Sequence, residues 1–455
     1  MDLPPASGHA ALRTVADYET GAYKWYVAAV LCFAQTVAII DRFVMVLVAE
    51  PIRATMHLSD LQLGLLQGTG FALLYCGFAV PLGAIADATN RRNLIIIGIS
   101  LWSLATIAAA FTGSFETLFA TRFLVGMGEA CLVPAGMSLL AAFFAPANLA
   151  RGTAIFGMGA NFGLGIAFLG GGALLSVLIA SGGVTVPGGG HFAPWQGIFI
   201  AAGLTALPVL ILLLWLREPP RTQPANARLA ALRVGFAFIL ANLRSYLRFL
   251  IVGAMTAVTG YAVTSFSSSL FVRMHGMSPA EAGKVIGLVG LLAGPPGTLT
   301  GGYVLDRLRA RGVAGAPLVM MAAGSVLALV FAAATAFAPG VPAATAMFSL
   351  FVFESTFVLP ALYVGMQLIT PDRFRGIAAS FNMMVYTLAG LGLGPPVVGV
   401  ISDRLHLGER SLGFGIVIVE LAMVLVILPV ALSSRRGFEA RLQAVAGDQI
   451  QPIRT

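Results

Sequence analysis

The chain has 455 residues, 58% of them hydrophobic and only 10% charged, with a mean hydropathy of +0.90. Soluble domains carry about 25% charged residues, so this composition excludes a soluble globular protein and describes a polytopic membrane one. The net charge of +8 comes from 27 Lys and Arg against 19 Asp and Glu; the basic residues follow membrane sidedness, which argues against nucleic acid as a partner.

In chain order, residues 1–24 lack an apolar core followed by a small-residue cleavage site, so no cleaved leader is expected. Apolar stretches of about 20 residues then place twelve spans near 25–49, 60–85, 93–112, 115–143, 153–180, 195–216, 246–271, 280–303, 316–337, 342–369, 376–401 and 412–433. The expected fold is all-α and polytopic, with twelve transmembrane helices in two pseudo-symmetric six-helix bundles. An N-terminal tail (1–24), a first bundle (25–216), a linker (217–245), a second bundle (246–433) and a tail (434–455) make up the chain. Pro219 and Pro220 end the sixth span. The linker beyond mixes arginines with Leu and Phe, which suits either a solvated connection or a helix lying flat on the membrane.

Sidedness follows from charge. With the N-terminus inside, twenty Lys and Arg fall in cytoplasmic segments. Five lie on the opposite face (Arg53, Arg273, Lys284, Arg404, Arg410), and Arg42 and Arg122 lie within the membrane. This bias places both termini in the cytoplasm. The absence of any N-x-Ser/Thr site and the compact loops favour a bacterial inner membrane. Cys32, Cys76 and Cys131 form neither a disulfide framework nor a zinc site. All five histidines fall in tails or non-cytoplasmic loops, away from any membrane Ser or Cys, so no enzyme is expected. No Gly-x-x-x-x-Gly-Lys-Ser/Thr loop occurs, so ATP is not the direct energy source and no cofactor is expected.

The two halves repeat. "GAIADATNRR" (83–92) and "GYVLDRLRAR" (302–311) both carry Gly-x-x-x-Asp followed by Arg, at an offset of 219. "PANLARGTA" (146–154) and "PDRFRGIAA" (371–379) align Arg151 with Arg375. Glu129 and Glu354 match at an offset of 225, each followed by Pro134 or Pro360. Such parallel repeats belong to transporters that bind substrate near the midplane, between the halves. "GVISDRL" (399–405) carries a further Gly-x-x-x-Asp-Arg at the outer end of span 11.

Acids and bases in hydrocarbon are costly and point to function. Asp41 lies about 15 residues into span 1, roughly 22 Å deep in a 30 Å core. Arg122 in span 4 reaches a similar depth from the other side, so the two are expected to pair. Glu129 follows Arg122 by seven residues and shares its face, while Arg42 points about 100° away from Asp41. A carboxylate that loses its arginine in so dry a place takes up a proton, so Asp41 and Glu129 are expected to exchange protons around Arg122. The second half lacks this set. Met347 stands where Arg122 would repeat, and Tyr261, Ser267, Ser268, Glu354, Asn382 and Met383 are its candidate cavity-lining residues.

These residues resemble the major facilitator superfamily, whose loop motif is matched by Gly83, Asp87, Arg91 and Arg92 and partly repeated by Gly302, Asp306 and Arg307. Ala88 replaces a basic residue of that motif, which weakens its charge latch. "IIDRFVMVLVAEPI" (39–52), "NRRNLIIIGISLWSLAT" (90–106), "TRFLVGMGEACLVPAG" (121–136) and "LREPPR" (216–221) are similar to the spinster branch. The resemblance implies a proton-coupled secondary transporter of sphingosine-1-phosphate-like or lysophospholipid-like amphiphiles, working by alternating access. It implies Asp41, Glu129 and Arg122 as the proton-coupling set, and Arg42, Arg122 and Glu129 as the charge network for the headgroup. The two loop motifs are implied as cytoplasmic gates. The organic-anion branch also carries Asp-Arg in span 1, so a small organic anion is the alternative substrate. A monomer in contact with membrane lipids is expected, with neither metal nor cofactor.

Overall fold

The computed structural model describes residues 22–186, 190–219 and 225–450, with the side chains at 87, 88, 146, 147, 186, 225–232 and 446–450 outside the description. Twelve helices among the described residues are long and apolar enough to cross a membrane. In order, spans 1–6 are Tyr23–Leu47, Asp60–Ala86, Arg91–Ala109, Phe115–Phe143, Asn148–Ala180 and Pro194–Leu214. Spans 7–12 are Leu243–Ser265, Pro279–Ala310, Ala316–Ala336, Val341–Leu368, Asp372–Leu405 and Arg410–Val445. The last helix runs on to Ile450, and the linker holds a helix over Ala225–Ala241. A hairpin pairs Val184–Val186 with Gly190–Phe192 between spans 5 and 6. With twelve spans, the start of span 1 and the end of span 12 lie on one side, here called the terminal face; the other is the distal face.

Hydrocarbon leaves the backbone no partner but itself, which makes helices obligatory. Polar residues at the helix starts take up amides that lack a partner one turn back. Ser59, Ser114 and Ser278 each accept from the amide three residues on, in reciprocal capping boxes.

The repeat is written into the interruptions. Span 1 breaks at Val48 and resumes as Ala49–Met56; span 7 breaks at Phe266 and resumes as Ser267–His275. Span 4 breaks after Glu129 and resumes at Leu132; span 10 breaks at Val358 and resumes at Leu359. Spans 2 and 5 each contain a five-residue π-turn, Leu65–Thr69 and Ile166–Gly170. Both lie where these spans meet the second half: Thr69 Oγ1 donates to the Gly392 carbonyl at 2.6 Å, and Phe168 packs towards Gly283. Span 5 lies tightly on span 1 because Gly163 has no side chain. A Cβ there would stand 2.6 Å from both the Thr36 carbonyl oxygen and Ile39 Cβ.

One buried apolar cluster belongs mainly to the first half, around Trp102 and Phe143, and one to the second, around Tyr246 and Phe249. A third is shared by both halves and includes Leu47, Phe168, Phe266, Phe271 and Ile286. It lies on the distal side. Along spans 2 and 11 the cross-half contacts continue inward to Cys76, whose Sγ is 3.7 Å from the Met384 carbonyl oxygen. Nearer the terminal face, a Cβ on Gly77 would meet nothing, and one on Gly83 only Pro134 of its own half. The halves are clasped distally.

Candidate functional site

Asp41 is fully buried, while the Arg42 side chain keeps 15% of its surface. Successive residues on a helix point about 100° apart, so this pair addresses two environments. Arg42 Nη2 donates to Glu129 Oε2 at 2.6 Å. Its guanidinium lies 4.4 Å from the Phe71 ring centroid and 5.3 Å from that of Tyr75, both on span 2. A planar cation stacked on aromatic faces is held in orientation as well as in place.

The expected pairing differs from the observed one. Arg122 Nη1 donates to the backbone carbonyl of Asp41 at 3.4 Å, not to its carboxylate, and Arg122 Nε and Nη2 have no hydrogen-bond partner. Both carboxylate oxygens of Asp41 and Oε1 of Glu129 also lack partners among the described residues. The buried indole of Trp102 lies beside Asp41 with its Nε1 equally unpartnered. Depth matching brings Asp41 and Arg122 to one level, but helix rotation turns Glu129 towards Arg42. Two acids and two arginines therefore share one dry space, and only one ion pair is made.

Facing Arg42 is a wall of tyrosines that sequence reasoning largely missed. Tyr75, Tyr261, Tyr363 and Tyr386 come from spans 2, 7, 10 and 11, and all four are half-buried. The Tyr261 and Tyr386 ring centroids are 5.8 Å apart, and those of Tyr363 and Tyr386 6.2 Å. Tyr75 and Tyr261 lie within electrostatic reach of Arg42. The signal was present as isolated tyrosines in mid-span, "LLYCG", "ALYVG" and "MVYTL", since a phenol in hydrocarbon needs a partner for its hydroxyl.

Of the other candidate lining residues, several are placed elsewhere. Ser267 and Ser268 are fully buried; Ser267 Oγ donates to the Thr264 carbonyl, and Ser268 Oγ to that of Leu47 across the distal closure. Asn382 is buried and donates to the Leu362 carbonyl at 3.0 Å. Short polar side chains in apolar helices satisfy themselves on nearby carbonyls, so these three pack helices instead of facing the site. Met383 is exposed. Glu354 is buried in the second half against Gly324, and among the described residues its one charged neighbour is Glu420.

The loop motifs behave differently in the two halves. Arg91, 3% exposed, donates to Glu218 Oε1 at 2.7 Å and to the Ser138 and Pro219 carbonyls at 3.1 Å. Glu218 Oε2 also accepts from the Arg92 amide, and Arg92 Nη1 reaches the Leu216 carbonyl. This clamp ties spans 3, 4 and 6 together within the first half and explains "LREPPR". The Asp87 side chain lies outside the described residues. In the second motif, a Cβ on Gly302 would meet nothing, Asp306 is exposed and 4.0 Å from Arg309, and Arg307 packs on Tyr303. Asp306 and Arg307 thus take separate partners, because helical spacing brings together residues three or four apart.

The family model described as Major Facilitator Superfamily matches residues 31–395. An MFS-type efflux pump of Mycolicibacterium smegmatis is 26% identical over 409 residues, covering 88% of this chain and 90% of that protein. Protein spinster homolog 1 of Bos taurus is 28% identical, covering 88% and 74%; that of Homo sapiens is 28% identical, covering 84% and 73%. Among solved structures, a bacterial homolog to the human lysosomal transporter Spinster superposes in its inward-facing and occupied conformation with a TM-score of 0.78. It is 25% identical, over 95% of this chain and all of that one. The unoccupied inward-facing form gives the same TM-score at 24% identity.

Proposed function

This chain belongs to the Major Facilitator Superfamily, and from that premise we propose that it is a spinster-like transporter that moves an amphiphilic anionic lipid by proton-coupled alternating access. The terminal face is read as cytoplasmic, in a bacterial inner membrane, and the protein as a monomer. One observation carries the reading. Arg42 is held by Glu129 at one end and by Phe71 and Tyr75 across its plane, and it faces tyrosines of a half that brings no arginine to the site. A lysophospholipid or a sphingosine-1-phosphate-like molecule needs this division. Its headgroup takes a cation and phenol hydroxyls, and its tail takes an apolar wall.

Proton coupling rests on the uneven partnering of the two acids. A buried carboxylate without a cation is costly, and a proton removes the cost. In this state Asp41 holds the proton and Glu129 holds Arg42. An anionic headgroup arriving at Arg42 competes with Glu129. As Arg42 turns to the headgroup, Glu129 takes Arg122 or a proton, so no buried carboxylate is left charged and without a partner. Substrate and proton thus draw on the same arginines, which makes their binding mutually dependent.

The test is uptake into proteoliposomes under an imposed pH gradient, with a panel of lysophospholipids, sphingosine-1-phosphate and small organic anions. Accumulation of the lipids, collapsing with the gradient, is the expected result. Accumulation of the organic anions alone would assign the site to them, and uptake indifferent to the gradient would remove the coupling. Arg42→Lys, which keeps the charge but loses the planar stacking, should weaken lipid binding by about 3- to 30-fold, the worth of one cation–π contact. Lipid titration of the purified protein checks this; unchanged affinity would take Arg42 out of headgroup recognition.

A further inference from the structure

The halves repeat in sequence, but the terminal ends of their third and sixth helices differ in one respect. In both, a carboxylate near the end of the sixth helix accepts from an amide at the start of the third: Glu218 Oε2 from Arg92 at 3.1 Å, and Glu439 Oε2 from Gly315 at 3.3 Å. The acids are 221 positions apart and the amides 223, within the offsets of the repeat. The arginines do not repeat. Arg92 Nη1 reaches the Leu216 carbonyl at 3.2 Å, so the first half fills the ground between spans 3 and 6 from within. Ala314 and Gly315 stand where Arg91 and Arg92 would recur, and neither has a side chain that could do so.

A cavity of about 520 Å³ lies there, lined by Ala314, Leu432, Ser433, Arg435 and Arg436. Gly315 takes a left-handed φ of 62°, and a Cβ on it would stand 3.0 Å from Arg435 Cα, so glycine lets the loop turn this close to span 12. Arg435 Nε donates to the Ala314 carbonyl at 3.0 Å, which fixes the guanidinium and leaves its Nη groups without partners among the described residues. Arg436 is exposed and has no hydrogen bond or ion pair among the described residues. Glu439 lies one turn on, but its carboxylate is held on the Gly315 amide and forms no ion pair with either arginine.

Span 12 leads to this cavity along one face. Leu421, Leu425, Leu428 and Leu432 are exposed and recur every three or four residues, and Arg435 and Arg436 continue the stripe by one turn. From Leu421 to Leu432 the stripe rises about 16 Å, close to the roughly 15 Å of hydrocarbon in one leaflet. The arginines therefore stand at headgroup level. The exposed Trp215 holds the position of Arg436 in the first half, and tryptophan marks that level. Span 12 packs mainly on spans 7, 9 and 11 of its own half, so its exposed stripe faces the bilayer and not the Arg42 site.

We propose that this cavity holds the phosphate of an anionic phospholipid of the terminal leaflet, with Arg435 and Arg436 on the phosphate and the leucine stripe along one acyl chain. The planar fork of arginine matches phosphate oxygens, and basic pockets between membrane helices suit anionic headgroups. A zwitterionic lipid carries a phosphate too, but its own ammonium group offsets the charge that two arginines without an acid require. Such a lipid is a resident of the second half and not cargo. The inference depends on neither the transported substrate nor proton coupling.

The experiment is native mass spectrometry of the full chain released from detergent micelles, titrated with phosphatidylglycerol or with phosphatidylcholine of the same chains. The parent should prefer phosphatidylglycerol by about 25-fold, from about fivefold for each arginine beside the headgroup. Arg435→Gln together with Arg436→Gln should remove that preference. Arg42→Lys, which weakens the proposed transport site, should leave it unchanged. No preference in the parent, a preference that survives the double change, or one that falls with Arg42→Lys would overturn the site. Displacement of the lipid by inorganic phosphate at constant ionic strength would assign the cavity to a free anion and overturn the lipid. Should the double variant fail to fold, Arg436→Gln alone, which breaks no described bond, should lower the preference about fivefold, and an unchanged preference there would overturn the site as well.

Discussion

Asp41→Asn should abolish gradient-driven uptake, lowering it by about 100-fold, the upper range of a coupling free energy between two sites, while the protein stays as stable as before or becomes more so. The reason is its surroundings. Both oxygens of the Asp41 carboxyl lack hydrogen-bond partners in a fully buried position, so a neutral amide of the same size gives up no bond. Glu129→Gln should lose coupling to the same degree but should also cost about 2 kcal/mol of stability, because it weakens the charged hydrogen bond to Arg42. Uptake in proteoliposomes and thermal unfolding in detergent separate the two effects. Equal destabilisation by both changes would mean that Asp41 is a structural partner after all. Normal gradient-driven uptake in both would end the proton relay.

Arg91→Ala should be the most destabilising single change at the terminal face, by about 3–5 kcal/mol, the usual cost of stranding one member of a buried ion pair. It leaves Glu218 without its cation and the Ser138 and Pro219 carbonyls without their donor. Glu218→Ala should cost less, because Arg91 keeps those two carbonyls. The double variant should cost clearly less than the sum of the singles, since the second change removes a charge already stranded. Thermal melts of the three variants check the cycle. Additive losses, or an Arg91→Ala change below about 0.5 kcal/mol, would show that the clamp contributes little.

The two predictions concern residues that were visible in the sequence for different reasons. Asp41, Arg42, Arg122 and Glu129 stand out because charge is rare in apolar helices, and their levels in the membrane follow from the rise per residue. Their partners do not follow. Depth is one coordinate, and Asp41 and Arg122 do share it; the pairing also depends on how each helix is turned and tilted, which packing at positions such as Gly163 and Gly126 decides. Arg91 and Glu218 were each noticed within a motif, but 127 residues separate them and nothing local joins them. The tyrosine wall draws one residue from each of four spans, so no single helix carries a pattern. Ser267, Ser268 and Asn382 fail for the converse reason: a polar residue on a helix face is equally compatible with a lined cavity and with a carbonyl on the neighbouring helix.

Twelve spans, their two-fold repeat and the presence of charge in the membrane are legible one residue at a time. Each is set by the cost of putting backbone or side chain into hydrocarbon, and that cost is paid locally. Which arginine meets which acid, and the bond from Thr69 to the Gly392 carbonyl more than 320 positions later in the chain, are decided only in the packed molecule. Such contacts depend on the relative rotation of whole helices, and that rotation is the outcome of every interhelical contact together.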